Sequence, residues 1–411
     1  MTSSSASEST PHRSRRRKAF AAFAATLLGA KLAVSFGACS HYRTDAAWRR
    51  DVARTTNAIA RAPRFASPTH DGFVWTRRAV LPSPYAEACD LASTHAGLVV
   101  AASIDALGVD GAALYRLDRN NTLANVLTWT GQGFLRVHAF GDRIVVPDSD
   151  APFHALSFAF DLDVDGFVFV SDAHGALDTS SREIVPRVYH VFDTARLSGG
   201  SLVASTGAYP PSDVPYLSDR GPAALFVDAG AGHPWRRVLD YPSREARGVS
   251  RFTYLQPLAD GGLLAAVQSS ITTLPAVVRI DGLPNAAHVS PIAGVTGQTL
   301  RWATFGDVIY RVGGTDSLER LSRSTDGGRT FQPIAAESPQ SLAASDTTLF
   351  LLDGGALFAS NDGEHFERIA PSHAALIAES SSLVSTPLVV HEGALWSAST
   401  RTGEIFEAIP R

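Results

Sequence analysis

Residues 321–334, read Leu-Ser-Arg-Ser-Thr-Asp-Gly-Gly-Arg-Thr-Phe-Gln-Pro-Ile, constrain the fold of this chain more than any other stretch. Two short strand-like pieces flank a turn in which Ser324, Asp326, Gly328 and Thr330 stand in fixed order. Asp and Ser side chains satisfy backbone amides inside such a turn, and Gly supplies a positive φ. Phe331 then returns the chain to an apolar environment. Aligning the sequence on this hairpin brings out copies along most of its length. Residues 356–369 are a second copy, one residue shorter, that keeps Ser360, Asp362, Gly363 and Phe366. Residues 224–238 and 394–409 carry the same frame with decayed turns, and 113–117, 167–172 and 276–280 are weaker copies.

Upstream of each hairpin lies a two-strand unit, often with Gly ahead of an apolar run, as at 95–101, 140–146, 198–204, 260–265, 305–310, 347–351 and 391–396. Two strands plus a hairpin make a four-stranded unit of roughly 30–55 residues, and seven such units run from about residue 85 to 411. A unit of this kind cannot bury both of its faces alone, so neighbours must stack. The expected fold is all-β, a β-propeller of seven four-stranded blades, with six or eight as alternatives. Residues 73–80 read as an outer strand ahead of the first full blade, placed to pair with the last blade and close the ring. Closure matters because an open ring exposes unpaired strand edges. A hydrophobic content of 45% against 18% charged residues fits the large packed core this requires.

The first 38 residues read as an export signal. Arg13, Arg15, Arg16, Arg17 and Lys18 form a basic segment, residues 19–30 are apolar, and small residues lead to Cys39. Phe36-Gly37-Ala38-Cys39 resembles a bacterial lipobox, which implies a lipidated Cys39 at the mature N-terminus. An uncleaved membrane anchor and ordinary cleavage are the alternatives, and residues 19–38 are about long enough to span a bilayer. All three place the body outside the cytoplasm, as a membrane-anchored protein facing the periplasm or cell surface in the lipoprotein case. Residues 39–70 read as a tether with a short helix, and 71–411 as the propeller. Without residues 1–38 the chain has 30 basic and 39 acidic side chains, a net of −9. That balance argues against nucleic acid as a partner and against membrane contact other than through the anchor. Cys89 is then the only cysteine left in the body, and is expected as a small buried apolar residue.

The Ser-x-Asp-x-Gly-x-Thr-Phe order at 324–331 resembles the Asp-box of sialidase-like and photosystem-assembly-factor-like (BNR-repeat) propellers. The resemblance covers the hairpin frame only and implies a structural role for Ser324, Asp326, Gly328, Thr330, Phe331, Ser360, Asp362, Gly363 and Phe366. Sialidases also use an Arg-Ile-Pro segment, which is absent here, and a Tyr–Glu pair that this sequence does not let us nominate. No catalytic residue is therefore assigned. Two other constellations carry chemistry. Asp161, Asp163, Asp165 and Asp172 follow the spacing of a Ca2+ loop with Gly166 at its sixth position, while the same residues also suit an ordinary hairpin. Arg136, Arg187, Arg251 and Arg301 recur near the starts of four consecutive inner strands, with His138 and His190 close by. Converging guanidiniums would bind an anion in the central funnel through forked hydrogen bonds. Local pairing of each arginine is the alternative.

These features lead to a non-enzymatic, extracytoplasmic propeller that binds an envelope protein, a glycan or a small anionic ligand. The alternative is a sialidase-like hydrolase or lyase with its site in the funnel. The export reading makes a direct prediction: mass spectrometry of the mature protein finds an N-terminus at acylated Cys39. An unmodified Cys39 inside an intact N-terminal peptide refutes it.

Overall fold

Apolar runs punctuated by Gly, Asp and Pro fold as strands here because each run is short and lacks helical spacing. The computed structural model shows 28 strands and two single-turn 3-10 helices among its described residues. These are residues 72–411 except 86, 104–110, 130–132, 142, 149–165, 173, 187, 189, 208–221, 231–232, 243–249, 270–273, 315–319 and 378–383. The export signal, the tether, Cys39, Arg187, Asp161, Asp163 and Asp165 lie outside the described residues.

Consecutive strands form antiparallel meanders of four. Their first strands are β2 (Glu87–Thr94), β6 (His138–Phe140), β10 (His190–Arg196), β14 (Ser250–Pro257), β18 (Thr299–Phe305), β22 (Pro339–Ala344) and β26 (Leu388–His391). Five units are separate four-stranded sheets; those starting at β10 and β14 are joined through the single pair Gly207↔Arg251 into an eight-stranded sheet. The first strand of each unit packs against the first strand of the next, and β26 packs against β2 to complete a circle. The result is a seven-bladed β-propeller with these strands innermost.

The circle is closed by β1 (Phe73–Val80), which pairs antiparallel with β28 (Glu404–Pro410) from Phe73↔Pro410 to Val80↔Glu404. The seventh blade thus takes three strands from the C-terminus and its outermost strand from the start of the propeller. One sequence assignment changes as a consequence. Residues 394–409 are not a copy of the outer hairpin: β27 (Ala394–Ala398) is the second strand of its blade and β28 the third. The link between third and fourth strands has no covalent turn in this blade, because β1 comes from the other end of the chain.

Among the described residues seven apolar clusters hold the molecule together, and each draws its residues from two adjacent blades. Leu98, Val100 and Ala102 of β3 (Gly97–Ser103) pack toward Trp396 and Ile405 of the seventh blade. Val99 and Ala101 of the same strand face Phe134, Val146 and Phe169 of the second. Alternate side chains of a strand point to opposite sheet faces, so a strand buried on both faces reads as an unbroken apolar run. This explains why β3 is buried along its whole length.

The two best-preserved turns join strands and also join blades. Ser324 Oγ accepts from the Gly328 amide at 2.8 Å and donates to Asp326 Oδ1 at 2.7 Å. Asp326 further accepts from the amides of Arg329 and Thr330 and from Thr330 Oγ1. Burial pushes the Asp326 carboxyl up, but these donors together outweigh it and hold it down at about 2. In the second turn, Ser360 and Asp362 repeat the arrangement toward Gly363, Glu364 and His365. Gly363 has φ +74°, and a Cβ there would sit 1.8 Å from the Tyr310 hydroxyl of the preceding blade. Tyr310 donates to the Gly363 carbonyl at 3.2 Å, so the glycine is required by the neighbour as well as by the turn. Phe366 is buried in the seam between the fifth and sixth blades, and Phe331 packs on Trp302 with ring centroids 5.8 Å apart.

Trp75 of β1 is 6% exposed and lies in the seam between the sixth and seventh blades with Leu352, Leu395 and Phe406. Trp75→Ala is predicted to cost about 3–5 kcal/mol in urea unfolding, as for large-to-small changes in a core. A loss under about 1 kcal/mol would show that closure does not rest on this strand.

Candidate functional site

Five of the seven inner strands carry a β-bulge, seen as register shifts at Ala88/Asp90, Val191/Asp193, Phe252/Tyr254, Thr299/Arg301 and Pro339/Ser341. A bulge lets two residues oppose one and re-aims the side chain that follows. The residues following the shifts are Asp90, Asp193, Tyr254, Arg301 and Ser341. Four of these, Asp90, Asp193, Tyr254 and Arg301, form one cluster with Arg136, which lies two residues ahead of β6.

Contacts between blades that are not neighbours place these side chains on the axis. Arg301 of the fifth blade donates to Asp90 Oδ1 of the first at 2.8 Å. The guanidinium of Arg136, entering the second blade, lies 4.0 Å above the ring of Tyr254 in the fourth. The second oxygen of Asp90 accepts from the Val137 amide at 3.2 Å. His138 Nε2 meets Asp193 Oδ1 at 2.6 Å, and Asp193 also accepts from the amides of Thr194 and Leu255. The Tyr254 hydroxyl meets Ser385, which in turn donates to the Leu300 carbonyl at 3.1 Å.

The cluster is nearly closed to solvent. Asp90, Arg136, Asp193 and Tyr254 are at most 3% exposed, whereas the side chains of Arg301 and His138 are 16% and 28% exposed. Water therefore reaches the cluster at Arg301 and His138. Burial alone would raise the pKa of Asp90, but the charges of Arg301 and Arg136, with His138 adding, hold it below the ordinary carboxylate range. Arg301 is raised in turn: burial opposes its charge, and Asp90, Tyr254 and Asp193 together outweigh that. Burial also raises Tyr254. Two carboxylates balance two guanidiniums, as buried charge requires.

The described arginines of the internal alignment, Arg136, Arg251 and Arg301, do not occupy one register. Arg301 follows its bulge while Arg251 precedes one, so the strand position of Arg301 is shared by Tyr254 rather than by Arg251. Arg251 pairs with Gly207 at the junction of the third and fourth blades, its guanidinium 5.5 Å over the Phe192 ring. Arg136 and Arg301 are brought together at Asp90. His190 begins β10 and its ring meets Phe192 at 5.4 Å. Asp172 closes a tight turn, accepting from the amides of His174 and Ala176 at 2.8 and 2.9 Å. Among the described residues no group of three or more His, Cys, Asp or Glu is placed to hold a metal ion.

Asp90, Asp193 and Tyr254 were missed in the sequence. The two aspartates do leave a signal, a carboxylate inside an apolar inner strand, in Ala-Cys-Asp-Leu-Ala and Val-Phe-Asp-Thr-Ala. Cys89, in the first of these, is fully buried, and burial pushes its thiol up to about 12, which makes it an inert packing residue.

No protein-family model matches the chain, and no curated protein matches its sequence. Among solved structures, virginiamycin B lyase from Staphylococcus aureus is similar over 82% of this chain and 100% of its own. A catalytically inactive variant crystallised with quinupristin gives a TM-score of 0.52 at 10% identity. The selenomethionine-substituted protein gives 0.52 at 11% over the same shares. At that identity the likeness establishes a common propeller fold and leaves the chemistry to each protein's own residues.

The axial pair makes a stability prediction. Asp90→Ala leaves Arg301 without its counter-charge, and urea unfolding is expected to show a loss of about 3–5 kcal/mol. The double variant Asp90→Leu/Arg301→Met should lose much less. Equal losses would mean that the pair is not an isolated charge-compensating unit.

Proposed function

We propose that this chain is an exported, membrane-anchored propeller that binds a small carboxylate-bearing ligand on its axis, with Arg301 and His138 as the contacting groups. The observation supporting this is that residues from five blades converge on one charge-paired cluster whose two solvent-reached members are a guanidinium and an imidazole. A buried charged cluster costs more than apolar packing of the same volume, which favours a role beyond stability. A guanidinium already shaped to one carboxylate, Asp90, is suited to a second through its remaining N–H donors.

A glycosidase working through two carboxylates fits this axis poorly. Such an enzyme needs one carboxyl raised so that it donates a proton and a second free to act on the sugar. Asp90 is held in its charged form by Arg301 and Arg136, and both oxygens of Asp193 are occupied by His138 and two backbone amides.

Isothermal titration with hexuronates and their neutral parent sugars tests the reading. Saturable binding of a hexuronate is expected, weakened at least tenfold in the folded double variant Asp90→Asn/Arg301→Gln, equivalent to about 1.4 kcal/mol. The reading fails if the wild-type protein binds no carboxylate probe, or if the double variant binds as tightly.

A further inference from the structure

The contact between His138 and Asp193 has a geometry that ligand binding alone does not call for. Asp193 is buried, with 3% side-chain exposure, and three donors fix its carboxylate. The Leu255 amide reaches Oδ2 at 2.7 Å, and the Thr194 amide reaches Oδ1 at 2.9 Å. A carboxylate engaged by two amides acts as an acceptor, so the hydrogen in the 2.6 Å contact belongs to His138 Nε2. The neutral imidazole then carries its lone pair on Nδ1. Among the described residues nothing hydrogen-bonds to Nδ1. The ring lies nearly parallel to Phe140, at 9° with centroids 6.0 Å apart, which limits its rotation, and 28% of the side chain is exposed. A base oriented by a carboxylate on one nitrogen, with the other nitrogen open, is the arrangement general-base catalysis requires. Arg301 is tied to the same site through Asp90, whose Oδ1 it bonds at 2.8 Å and whose Oδ2 accepts from the amide of Val137, the residue before His138.

We infer that His138, positioned by Asp193, is a general base for hydrolysis of a small carboxylic ester held on the axis. Nδ1 takes a proton from a water molecule as the water oxygen attacks the ester carbonyl carbon. The carbonyl π-electrons move to oxygen, where the negative charge faces the Arg301 guanidinium. The imidazolium formed is stabilised through its Nε2–H by Asp193. Collapse of the tetrahedral species breaks the bond to the alcohol oxygen, which leaves with the proton returned from Nδ1. The products are a carboxylic acid and an alcohol, and no oxidant or reductant is involved. His138 is the catalytic residue and Asp193 a positioning residue.

This inference rests on the axis being the ligand site, and its test separates the two readings. p-Nitrophenyl acetate and p-nitrophenyl butyrate serve as probes for the full-length protein, with hexuronate titration run in parallel. The wild-type protein is expected to hydrolyse one of them above the buffer rate. kcat/KM should rise with pH through a single deprotonation and fall at least 100-fold in His138→Gln, within the usual general-base contribution. Added imidazole should restore turnover to His138→Gly, which a merely structural role would not produce. Asp193→Asn should lower kcat more than it changes KM. No wild-type turnover, or equal turnover in His138→Gln, overturns the inference. Hexuronate binding without turnover removes the catalytic reading and keeps the binding one, whereas loss of both removes the two together.

Discussion

The pairing of β1 with β28 is the contact on which the rest of the molecule depends. Every blade buries apolar side chains on both of its faces, so an unclosed stack would leave two apolar faces and two sheet edges open to water. Closure brings Trp75 into the seam with the sixth blade and sets Trp396 against the first. It also fixes the distance across the axis. Asp90 and Arg301 meet at 2.8 Å from blades that do not touch as neighbours, and that distance holds only if the ring is complete.

The axis is polar because bulges in the inner strands turn one residue out of the apolar alternation. Without the shift at Ala88/Asp90, the regular period of two would carry Asp90 into a seam of Leu, Val and Ala side chains, where its charge would have no partner. The same device acts at Asp193, Tyr254 and Arg301. The cluster is therefore a product of local backbone irregularity repeated around a ring. Its charges balance internally, and among the described residues its solvent-reached members are Arg301 and His138.

At the opposite end of the blades, the 324–331 and 360–366 turns do structural work of a related kind. Each folds around an Asp that accepts several donors, and each rests its glycine on the second strand of the preceding blade, at Leu264 and Tyr310 respectively. Gly328 has a Leu264 carbon 3.0 Å from where a Cβ would stand, and Gly363 has the Tyr310 hydroxyl closer still. The turns thus set the stacking distance between blades as well as ending the strands.

The sequence by itself determined the class of fold and the four-stranded repeat, and it pointed to seven units and a closing strand at 73–80, while the structure decided against six or eight blades. These follow from local periodicity and turn chemistry, which act over a few residues and leave their mark on the chain directly. It also located the axial strands well enough to single out Arg136, His138 and Arg301. It did not separate Arg251 from Arg301, because a bulge adds a residue without a characteristic signature, and one residue changes the side on which a side chain emerges. It read 394–409 as an outer hairpin, since the alternation of a second and third strand looks the same as that of a third and fourth. Only the tertiary structure brought Asp90, Asp193 and Tyr254 to the arginines. Asp90 and Arg301 stand 211 positions apart in the chain, and their pairing is fixed by the circumference of a closed ring.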